Sequence, residues 1–381
     1  MPVPRRTRTV RVGGSGHVRA VFLGGDSPVA VQSMWKEPLL ATELGAAASR
    51  IRGLEDLGCG LLRFAVPDLE TAEIVGRLAE TVAMPLVADI HFNHLIALRC
   101  LDFPIAKIRV NPGNIGDRAK VRSVLEKAAD KGVPLRIGVN SGSLPKDVER
   151  KVAEGTLSRG EAMVEVAFRE LAFFDDFGFS DVLVSMKATE IADTVVANRI
   201  FSERSDVPLH LGVTEAGPLV AGIARSSAAL SLLLSEGRGD TIRVSLSDGM
   251  ENEVAAAREI LAAAAELALM SGGKAERLKR GGVKVISCPR CGRYGFDTHG
   301  FMERWLPRLY AMKGELTVAV MGCEVNGPGE ARHADLGIAG TGDRVLIFRH
   351  GEIVRTVLPE DADAAFAEAL AEMGNGPSSF G

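Results

Sequence analysis

The sequence has little net charge and no long apolar run. Its 45 lysines and arginines nearly balance 49 aspartates and glutamates, which gives a formal net charge of -4. This balance excludes a global basic attraction to nucleic acid, so any anion must be bound by a local cluster of cations. No apolar run reaches the length of a membrane span. We therefore expect neither nucleic acid nor a membrane as a partner.

Cysteine is also scarce, with five residues in a chain of 381. An odd number that includes a closely spaced pair does not suit a disulfide framework. No apolar segment opens the chain, because Arg5, Arg6 and Arg8 are followed by a polar, Gly-rich stretch. That pattern excludes Sec and twin-arginine export signals. The sequence therefore predicts a reducing, cytoplasmic location.

A unit of one strand followed by one helix recurs from residue 28 to residue 247. We predict strands at 29–34, 61–66, 86–92, 107–111, 135–140, 182–187, 209–214 and 241–247. Ser158 with Glu161, and Asp248 with Glu251, have the spacing of a capping box at a helix start. Eight such units in a row predict an α/β fold, a (β/α)8 TIM barrel. The Gly-rich segment 13–16 lies between two short β-like runs and predicts a hairpin closing one end of it.

A second, smaller domain is predicted after the barrel. The barrel would occupy residues 1–270, ending in a long Ala/Leu helix at 248–270, and the Gly/Lys-rich segment 271–282 is typical of a linker or hinge. Residues 283–381 then show strands at 283–287, 316–321, 336–339, 345–349 and 353–358, with helices near 297–313 and 359–373. This order predicts an α+β domain.

Cations recur on the predicted barrel strands, and they share a chemistry. They are Arg63, Arg109, Arg136, Lys187 and Arg243. Five cations converging on one barrel mouth are costly in a net-acidic protein unless an anion compensates them. Phosphate or diphosphate suits the planar arginine fork best. Any one of them, taken singly, is equally well explained by a structural pair with Asp89 or Glu215.

Other polar residues on the same strands would complete the site. Asn140 and Ser245 would add neutral hydrogen-bonding groups, while Asp89, His210 and Glu215 are possible acid–base groups. Glu215 stands at a loop entrance and would exchange a proton with a bound hydroxyl if burial raises its pKa. For His210, bonding to a neighbouring carbonyl within the lumen is an equal alternative.

Three cysteines and one glutamate of the second domain form a candidate metal site. Cys288 and Cys291 stand three residues apart, Cys323 ends an apolar run, and Glu330 follows it after a Gly-Pro-Gly loop. Structural zinc prefers four Cys or His ligands, whereas an iron–sulfur cluster on three cysteines leaves one iron to a displaceable oxygen donor. The pattern favours a cluster. A structural zinc site and three buried thiols are the alternatives, and Cys59 and Cys100 are predicted to be small buried hydrophobes.

In combination, these features resemble the bacterial 4-hydroxy-3-methylbut-2-enyl diphosphate synthase family of the non-mevalonate isoprenoid pathway, over about residues 8 to 360. The motifs that carry the resemblance are VQSM at 31–34, ADIHF at 88–92, IRVNPGNIG at 108–116, RIGVN at 136–140, LGVTEAG at 211–217, CPRC at 288–291 and NGPGE at 326–330. The family usually continues VQSM with Thr-Asn, whereas Trp35 and Lys36 follow here. The segment 218–220 also departs from the usual pattern, so the two loops are expected to be shaped differently.

The resemblance implies a reductive ring opening. 2-C-Methyl-D-erythritol 2,4-cyclodiphosphate loses a hydroxyl and gains two electrons, giving the linear diphosphate. Cys288, Cys291, Cys323 and Glu330 would hold a 4Fe-4S cluster, and Glu215 would be the acid–base group. The resemblance implies that the diphosphate is gripped by Arg63, Arg109, Arg136, Asn140, Lys187, Arg243 and Ser245, while Asp89 and His210 are further candidate substrate-binding residues.

The family also implies a flavodoxin or ferredoxin as electron donor and a homodimer. Two alternatives belong to other functional classes. One is a phosphate-binding barrel enzyme with a zinc-stabilised accessory domain, and the other is a metal-cluster sensor that binds a phosphorylated metabolite. Neither alternative needs an exchangeable Glu330, so the loss of turnover on replacing that residue separates them from the synthase.

Overall fold

The chain forms two compact units, Met1–Arg280 and Gly281–Gly381. The computed structural model describes residues 6–90, 93–110, 118–278, 282–288, 295–324, 327, 329 and 331–375. The predicted fold class is confirmed, since the first unit is a parallel barrel surrounded by helices and the second is built on a separate sheet. The boundaries 1–270, 271–282 and 283–381 stay predictions.

An antiparallel hairpin precedes the barrel, as the Gly-rich segment predicts. It consists of β1 (Val10–Val12) and β2 (Val21–Leu23). Its apolar side chains form one buried cluster with residues at or beside the first positions of five barrel strands, among them Ala30, Leu61 and Val87. The hairpin therefore closes the amino-terminal end of the barrel and leaves the opposite end for a site.

Eight parallel strands make the barrel. They are β3 (Ala30–Met34), β4 (Leu61–Ala65), β5 (Leu86–Asp89), β6 (Lys107–Val110), β7 (Leu135–Asn140), β8 (Val182–Lys187), β9 (His210–Leu211) and β10 (Thr241–Ile242). The sheet order is β8-β7-β6-β5-β4-β3-β10-β9, and a parallel bridge between Val184 and Leu209 joins its two ends. Closure of the sheet gives every strand a neighbour on both sides, and the inward side chains meet in one lumen.

Helices follow the strands and cover the outside of the barrel. Those in the described residues are α1 (Leu44–Asp56), α2 (Leu69–Ala79), α3 (His94–Cys100), α4 (Arg118–Lys131), α5 (Lys146–Ala153), α6 (Arg159–Asp175), α7 (Ile191–Arg204), α8 (Leu219–Ser235) and α9 (Met250–Met270). Their buried faces join the strands in a large apolar core that includes Ile51, Val75 and Leu230. None of the helices in the described part of the chain is long and apolar enough to cross a membrane.

The last two barrel strands are shorter than predicted. The sequence predicts strands at 209–214 and 241–247, but β9 and β10 have two residues each. Glu215 and Gly217 have φ angles of 52° and 111°, in the left-handed region that no β-strand uses. The loop after β9 therefore turns at these two residues. The predicted ends of β5 and β6 at residues 91–92 and 111 lie outside the described residues.

One of the two predicted capping boxes is present. The Ser158 hydroxyl accepts from the backbone N–H of Glu161, and the Glu161 carboxylate accepts from the backbone N–H of Ser158. The second prediction is wrong, because Gly249 and not Asp248 is the N-cap of α9. The Asp248 carboxylate accepts instead from the side chain of Asn252 at 2.9 Å, so it braces the loop before the helix.

Part of the predicted linker packs on the barrel unit. The Arg277 guanidinium donates to Asp240 Oδ1 at 2.6 Å and to the Ser27 carbonyl at 3.0 Å. Ala275 and Leu278 on either side of it are buried. Residues 275–278 are therefore anchored near the amino-terminal ends of β3 and β10.

The second unit is a five-stranded mixed sheet with two described helices. Its strands are β11 (Val283–Ser287), β12 (Leu316–Met321), β13 (Leu336–Thr341), β14 (Arg344–Arg349) and β15 (Glu352–Val357), and its helices are α10 (Thr298–Ala311) and α11 (Ala362–Leu370). The strands pair in chain order, parallel from β11 to β13 and antiparallel from there to β15. Phe301, Trp305 and Phe366 stack and pack edge to face in its core.

Candidate active site

One buried carboxylate lies among the cations of the barrel. Asp89 ends β5 and is in register with Arg109 on β6, which is in register with Arg136 on β7. Arg109 Nη1 donates to Asp89 Oδ1 at 3.2 Å, and Arg63 Nε lies 3.4 Å from Asp89 Oδ2. Asp89 is 4% exposed. A single carboxylate is thus shared by two guanidinium groups, so part of the positive charge in this layer is uncompensated.

Arg136 and Lys187 are buried without a carboxylate partner among the described residues. Arg136 is 1% exposed, and its Nη1 atom lies 3.3 Å from the Ser185 hydroxyl, a neutral group. Burial lowers the pKa of Arg136 well below its ordinary value, and the charges of Arg63 and Arg109 lower it further. Arg136 is the second residue of its strand and lies deep in the lumen rather than at the strand end, where most of the polar residues are predicted.

The charges of the other four predicted cations all lower the pKa of Lys187. It ends β8, and burial lowers its pKa well below the usual 10.5. The additional causes are the positive charges of Arg136, Arg63, Arg243 and Arg109. The pKa of Arg63 is lowered to about 10, again by burial first, against the opposing charge of Asp89. The five predicted cations therefore share one electrostatic environment.

Arg243 and the two neutral candidates lie at the same end of the barrel. Arg243 directly follows β10, its side chain is 13% exposed, and its Nη2 atom donates to Glu253 Oε1 at 3.3 Å. Asn140 ends β7 and is half-buried, as is Ser245. The strands thus bring these residues to the carboxyl-terminal end, where barrel enzymes place their sites.

His210 is buried and neutral. It begins β9, is 0% exposed, and neither ring nitrogen has a hydrogen-bond partner among the described residues. The alternative in which it bonds to a lumen carbonyl is therefore not found. Burial lowers its pKa well below 6.5, and the nearby charges of Lys187, Arg136 and Lys107 act in the same direction. A neutral imidazole in this position can donate one hydrogen bond and accept another.

A further lumen cation, Lys107, is absent from the predicted set. It begins β6, is 0% exposed, and its Nζ atom donates to Gln32 Oε1 at 3.2 Å. Burial lowers its pKa well below 10.5, followed by the charges of Arg136 and Arg63. The signal in the sequence was the period of two that places Lys107 on the same strand face as Arg109.

Two glycines make room for the cations. A Cβ atom on Gly138 would lie 2.6 Å from Arg109 Nε, and one on Gly212 would lie 2.7 Å from Lys187 Nζ and 2.8 Å from the Arg243 carbonyl oxygen. Real Cβ contacts are not this short. The RIGVN and LGVTEAG motifs therefore need glycine at these positions so that the cationic side chains can lie across the strands.

Glu215 is not buried as an acid–base group would be. Its side chain is exposed, and its φ of 52° places it in the left-handed region at the loop entrance. An acid–base role for this carboxyl group was expected to depend on burial, and the side chain is exposed instead. A left-handed non-glycine residue costs about 1–3 kcal/mol unless its surroundings fix it, and such residues cluster at functional sites.

Several buried donor groups in the lumen have no acceptor among the described residues. Among the described residues, Arg136 Nε and Arg243 Nε are buried without a hydrogen-bond partner, as are Gln32 Nε2 and the His210 ring nitrogens. A buried N–H group left unpaired costs free energy. A bound polyanion would supply both the missing acceptors and the missing negative charge, so the arrangement suits a phosphorylated ligand.

Two of the four predicted cluster ligands are described in the second unit. Cys288 directly follows β11, Cys323 follows β12 by two residues, and Ser287 is in register with Val320 on these parallel neighbours. The Cys288 sulfur accepts a hydrogen bond from the Gly322 backbone N–H at 2.9 Å. Both thiols are free, and both lie at one edge of the sheet. Cys291 and Glu330 lie outside the described residues.

The described thiols fit a thiolate metal centre. Backbone N–H groups directed at cysteine sulfur stabilise the charged thiolate, and such contacts tune iron–sulfur sites. No group of three or more His, Cys, Asp or Glu side chains that could hold a metal ion occurs within the described ranges. Cys59 and Cys100 are buried, as predicted, and burial raises the pKa of the Cys100 thiol to about 12.

Comparisons with known proteins cover both units. Residues 7–258 match the GcpE TIM-barrel domain, and residues 284–372 match the GcpE protein C-terminal domain. The chain is 52% identical to the 4-hydroxy-3-methylbut-2-en-1-yl diphosphate synthase (flavodoxin) of Treponema pallidum, over 97% of this chain and 92% of that protein. Proteins of the same name from Treponema denticola and Geobacter sulfurreducens are 48% and 43% identical, each over 95% of this chain and 97% of the relative.

Proposed function

We infer the reaction from one premise: the chain belongs to the GcpE family. It is an oxidoreductase, a 4-hydroxy-3-methylbut-2-en-1-yl diphosphate synthase. The ring of 2-C-methyl-D-erythritol 2,4-cyclodiphosphate opens, a hydroxyl group leaves as water, and two electrons enter with the protons that water formation requires. The product is linear 4-hydroxy-3-methylbut-2-enyl diphosphate.

The observation that carries this function is the charge in the barrel lumen. Neighbouring cations lower the pKa of Arg63, Arg136 and Lys187, and the Nε–H groups of Arg136 and Arg243 have no acceptor among the described residues. We assign them to the diphosphate, with Asn140, His210 and Ser245 as neutral partners and Asp89 as the group that orients Arg63 and Arg109. Arginine forks hold the two phosphoryl groups in a fixed direction, so the carbon skeleton is presented in one orientation.

The residues of the second unit would hold the redox group. Cys288, Cys291 and Cys323, with Glu330 as the fourth and displaceable ligand, would bind a 4Fe-4S cluster. When bound, that cluster supplies low-potential electrons one at a time, which no side chain can do. Cys288 and Cys323 come from adjacent strand ends, which sets the spacing of their two sulfurs.

Glu215 is the proposed acid–base residue of the barrel. Its loop follows β9, at the end of the barrel where Lys187 and Arg243 lie. Because the carboxyl group is exposed in the described structure, we propose that bound substrate buries it and raises its pKa, which would allow it to donate a proton to the departing hydroxyl.

The partners follow from the same assignment. The relatives' names include flavodoxin, so we propose flavodoxin as the electron donor of this protein, with ferredoxin as the alternative. We further propose a homodimer, which the family resemblance implies. We also propose a cytoplasmic location, since the free thiols of Cys288 and Cys323 suit a reducing compartment. The division into a substrate-binding barrel (1–270), a linker (271–282) and a cluster domain (283–381) belongs to this proposal.

Turnover of the cyclic diphosphate by anaerobically prepared protein with reduced flavodoxin tests the function. Glu330→Ala is expected to abolish or cripple turnover while the cyclic diphosphate still binds. Arg136→Ala is expected to weaken that binding by about 2–5 kcal/mol, since it removes a buried cation from its anion. Arg122→Ala, at an exposed pair with Glu126, is the control. Full turnover by Glu330→Ala, or unchanged affinity of Arg136→Ala, would remove these residues from their assigned roles.

A further inference from the structure

A second buried carboxylate lies beside the barrel site, on a helix rather than on a strand. Glu253 is in the first turn of α9 and is 1% exposed. Neither the strand pattern nor the family resemblance assigns it a role. A buried carboxylate costs several kcal/mol unless charged and hydrogen-bonding partners compensate it.

Glu253 receives four donors from two segments of the chain, one around the end of β3 and one after β10. Its Oε2 atom accepts from the Ser33 hydroxyl at 2.7 Å, on β3. Its Oε1 atom lies 2.8 Å from Lys36 Nζ and 3.3 Å from Arg243 Nη2, and it accepts from the Leu246 backbone N–H at 3.1 Å. The carboxylate therefore ties the end of β3 to the segment that follows β10.

These contacts hold the Arg243 guanidinium at one nitrogen. Nη2 is held by Glu253, while Nε is buried and has no hydrogen-bond partner among the residues described. A guanidinium is planar, so a contact at one nitrogen restricts the directions of the other N–H groups. Glu253 thus orients Arg243 while its Nε–H is left for another acceptor.

Lys36 keeps this carboxylate from simply neutralising Arg243. Its ammonium contacts Glu253 and also donates to the carbonyls of Leu246 at 2.7 Å and Asp248 at 2.5 Å. One negative charge is thereby shared between two cations, and the group keeps a net positive charge for an anion. Lys36 is one of the two residues after the VQSM motif that depart from the usual family pattern, and Trp35 before it stacks on Phe64 with ring centroids 5.4 Å apart.

We propose that Glu253 is a positioning residue for the substrate diphosphate. Glu253 orients Arg243. It also binds Lys36, which shares its charge and holds the loop after β3 in place. Glu253 does not itself touch the substrate. This inference rests on the proposed function, because it takes Arg243 as a ligand of the diphosphate.

A double-mutant cycle in the cluster-loaded enzyme tests the proposal. Glu253→Gln is expected to raise the KM for the cyclic diphosphate by about tenfold, with kcat changed less than about threefold, because orientation of a binding group is lost. In an Arg243→Ala background the same change should alter KM by less than about twofold. Glu251→Gln, on the same helical turn but 45% exposed and paired with Arg50, is the control and should match the parent.

An unchanged KM in Glu253→Gln, or an equal rise with and without Arg243, overturns the positioning role. If Glu253→Gln does not fold, Lys36→Met replaces it, since Lys36 is 26% exposed: a KM raised about threefold or more supports the proposal, and an unchanged KM overturns it. Failure of the unmodified enzyme to bind or convert the cyclic diphosphate would instead overturn the proposed function.

Discussion

Gly138 shows how a missing side chain can shape a binding site. The Arg109 guanidinium lies where a Cβ atom of residue 138 would be, with Nε at 2.6 Å, Nη2 at 2.9 Å and Cζ at 3.1 Å. The contacts are to a flexible side chain and not to backbone, so the barrel can accept a methyl group by moving Arg109. The position therefore constrains function more than folding.

We predict that Gly138→Ala weakens binding of the cyclic diphosphate by about tenfold, because Arg109 is displaced from its place beside Asp89. The free energy of unfolding should change by less than about 1 kcal/mol, since the strand backbone tolerates alanine. Titration calorimetry and urea unfolding measure the two quantities. Gly53→Ala, in α1 with open space around the added methyl group, should leave affinity unchanged. Parental affinity in Gly138→Ala would show that Arg109 does not bind the ligand from this position.

Lys187 predicts proton uptake on ligand binding. Burial and four neighbouring cations lower its pKa well below 10.5 in the absence of ligand. A bound diphosphate favours the charged ammonium and raises that pKa again, so binding takes up protons at any pH between the two values. Affinity should therefore fall as the pH rises through this interval.

Calorimetry near pH 8 in two buffers of different ionisation enthalpy measures this uptake. The binding enthalpy should depend on the buffer, with uptake of a measurable fraction of a proton, and Lys187→Met should reduce it. Lys127→Met, at a surface lysine paired with Asp102, should behave like the parent. Proton release, or no dependence on the buffer, would contradict the assignment of Lys187.

At the scale of elements, the sequence predicts strands well where the chain stays extended. The limits of β7 and β8 agree residue by residue with the prediction, and Pro134 marks the start of β7. β9 and β10 end earlier than predicted, because apolar periodicity does not show where strand pairing stops. The role of Glu253 could not be predicted from the sequence either, because its partner Ser33 is 220 residues away along the chain. Its own helix is otherwise typical of a barrel surface.

The capping box of α6 supports a prediction at the same scale. Ser158→Ala removes the hydroxyl that accepts from the Glu161 N–H, and should lower the free energy of unfolding by about 1 kcal/mol. Ser123→Ala is the matched control, because this residue lies inside α4, where alanine is the better helix former. Urea unfolding followed by circular dichroism measures both. Equal stability of the two variants would show that the box does not stabilise the barrel.

Across the whole molecule, the distribution of charge matters more than its sum. The net charge is -4, yet no described carboxylate contacts Lys107, Arg136 or Lys187 inside the barrel. Composition excluded a global basic attraction to nucleic acid but did not indicate a cationic lumen, which becomes visible only once strands place alternate residues on one face. The thiols were predictable as a set, whereas the contact between Cys288 and the Gly322 N–H depends on the pairing of β11 with β12.

The metal content of anaerobically purified protein tests the account most directly. We expect about four irons and four acid-labile sulfides per chain, with visible absorption that bleaches on reduction by dithionite. Cys288→Ser should lower both contents together, while Cys100→Ser, at a buried thiol of the barrel unit, should leave them unchanged in folded protein. One zinc per chain with no sulfide, even after cluster reconstitution, would contradict the redox function and favour a zinc-stabilised barrel.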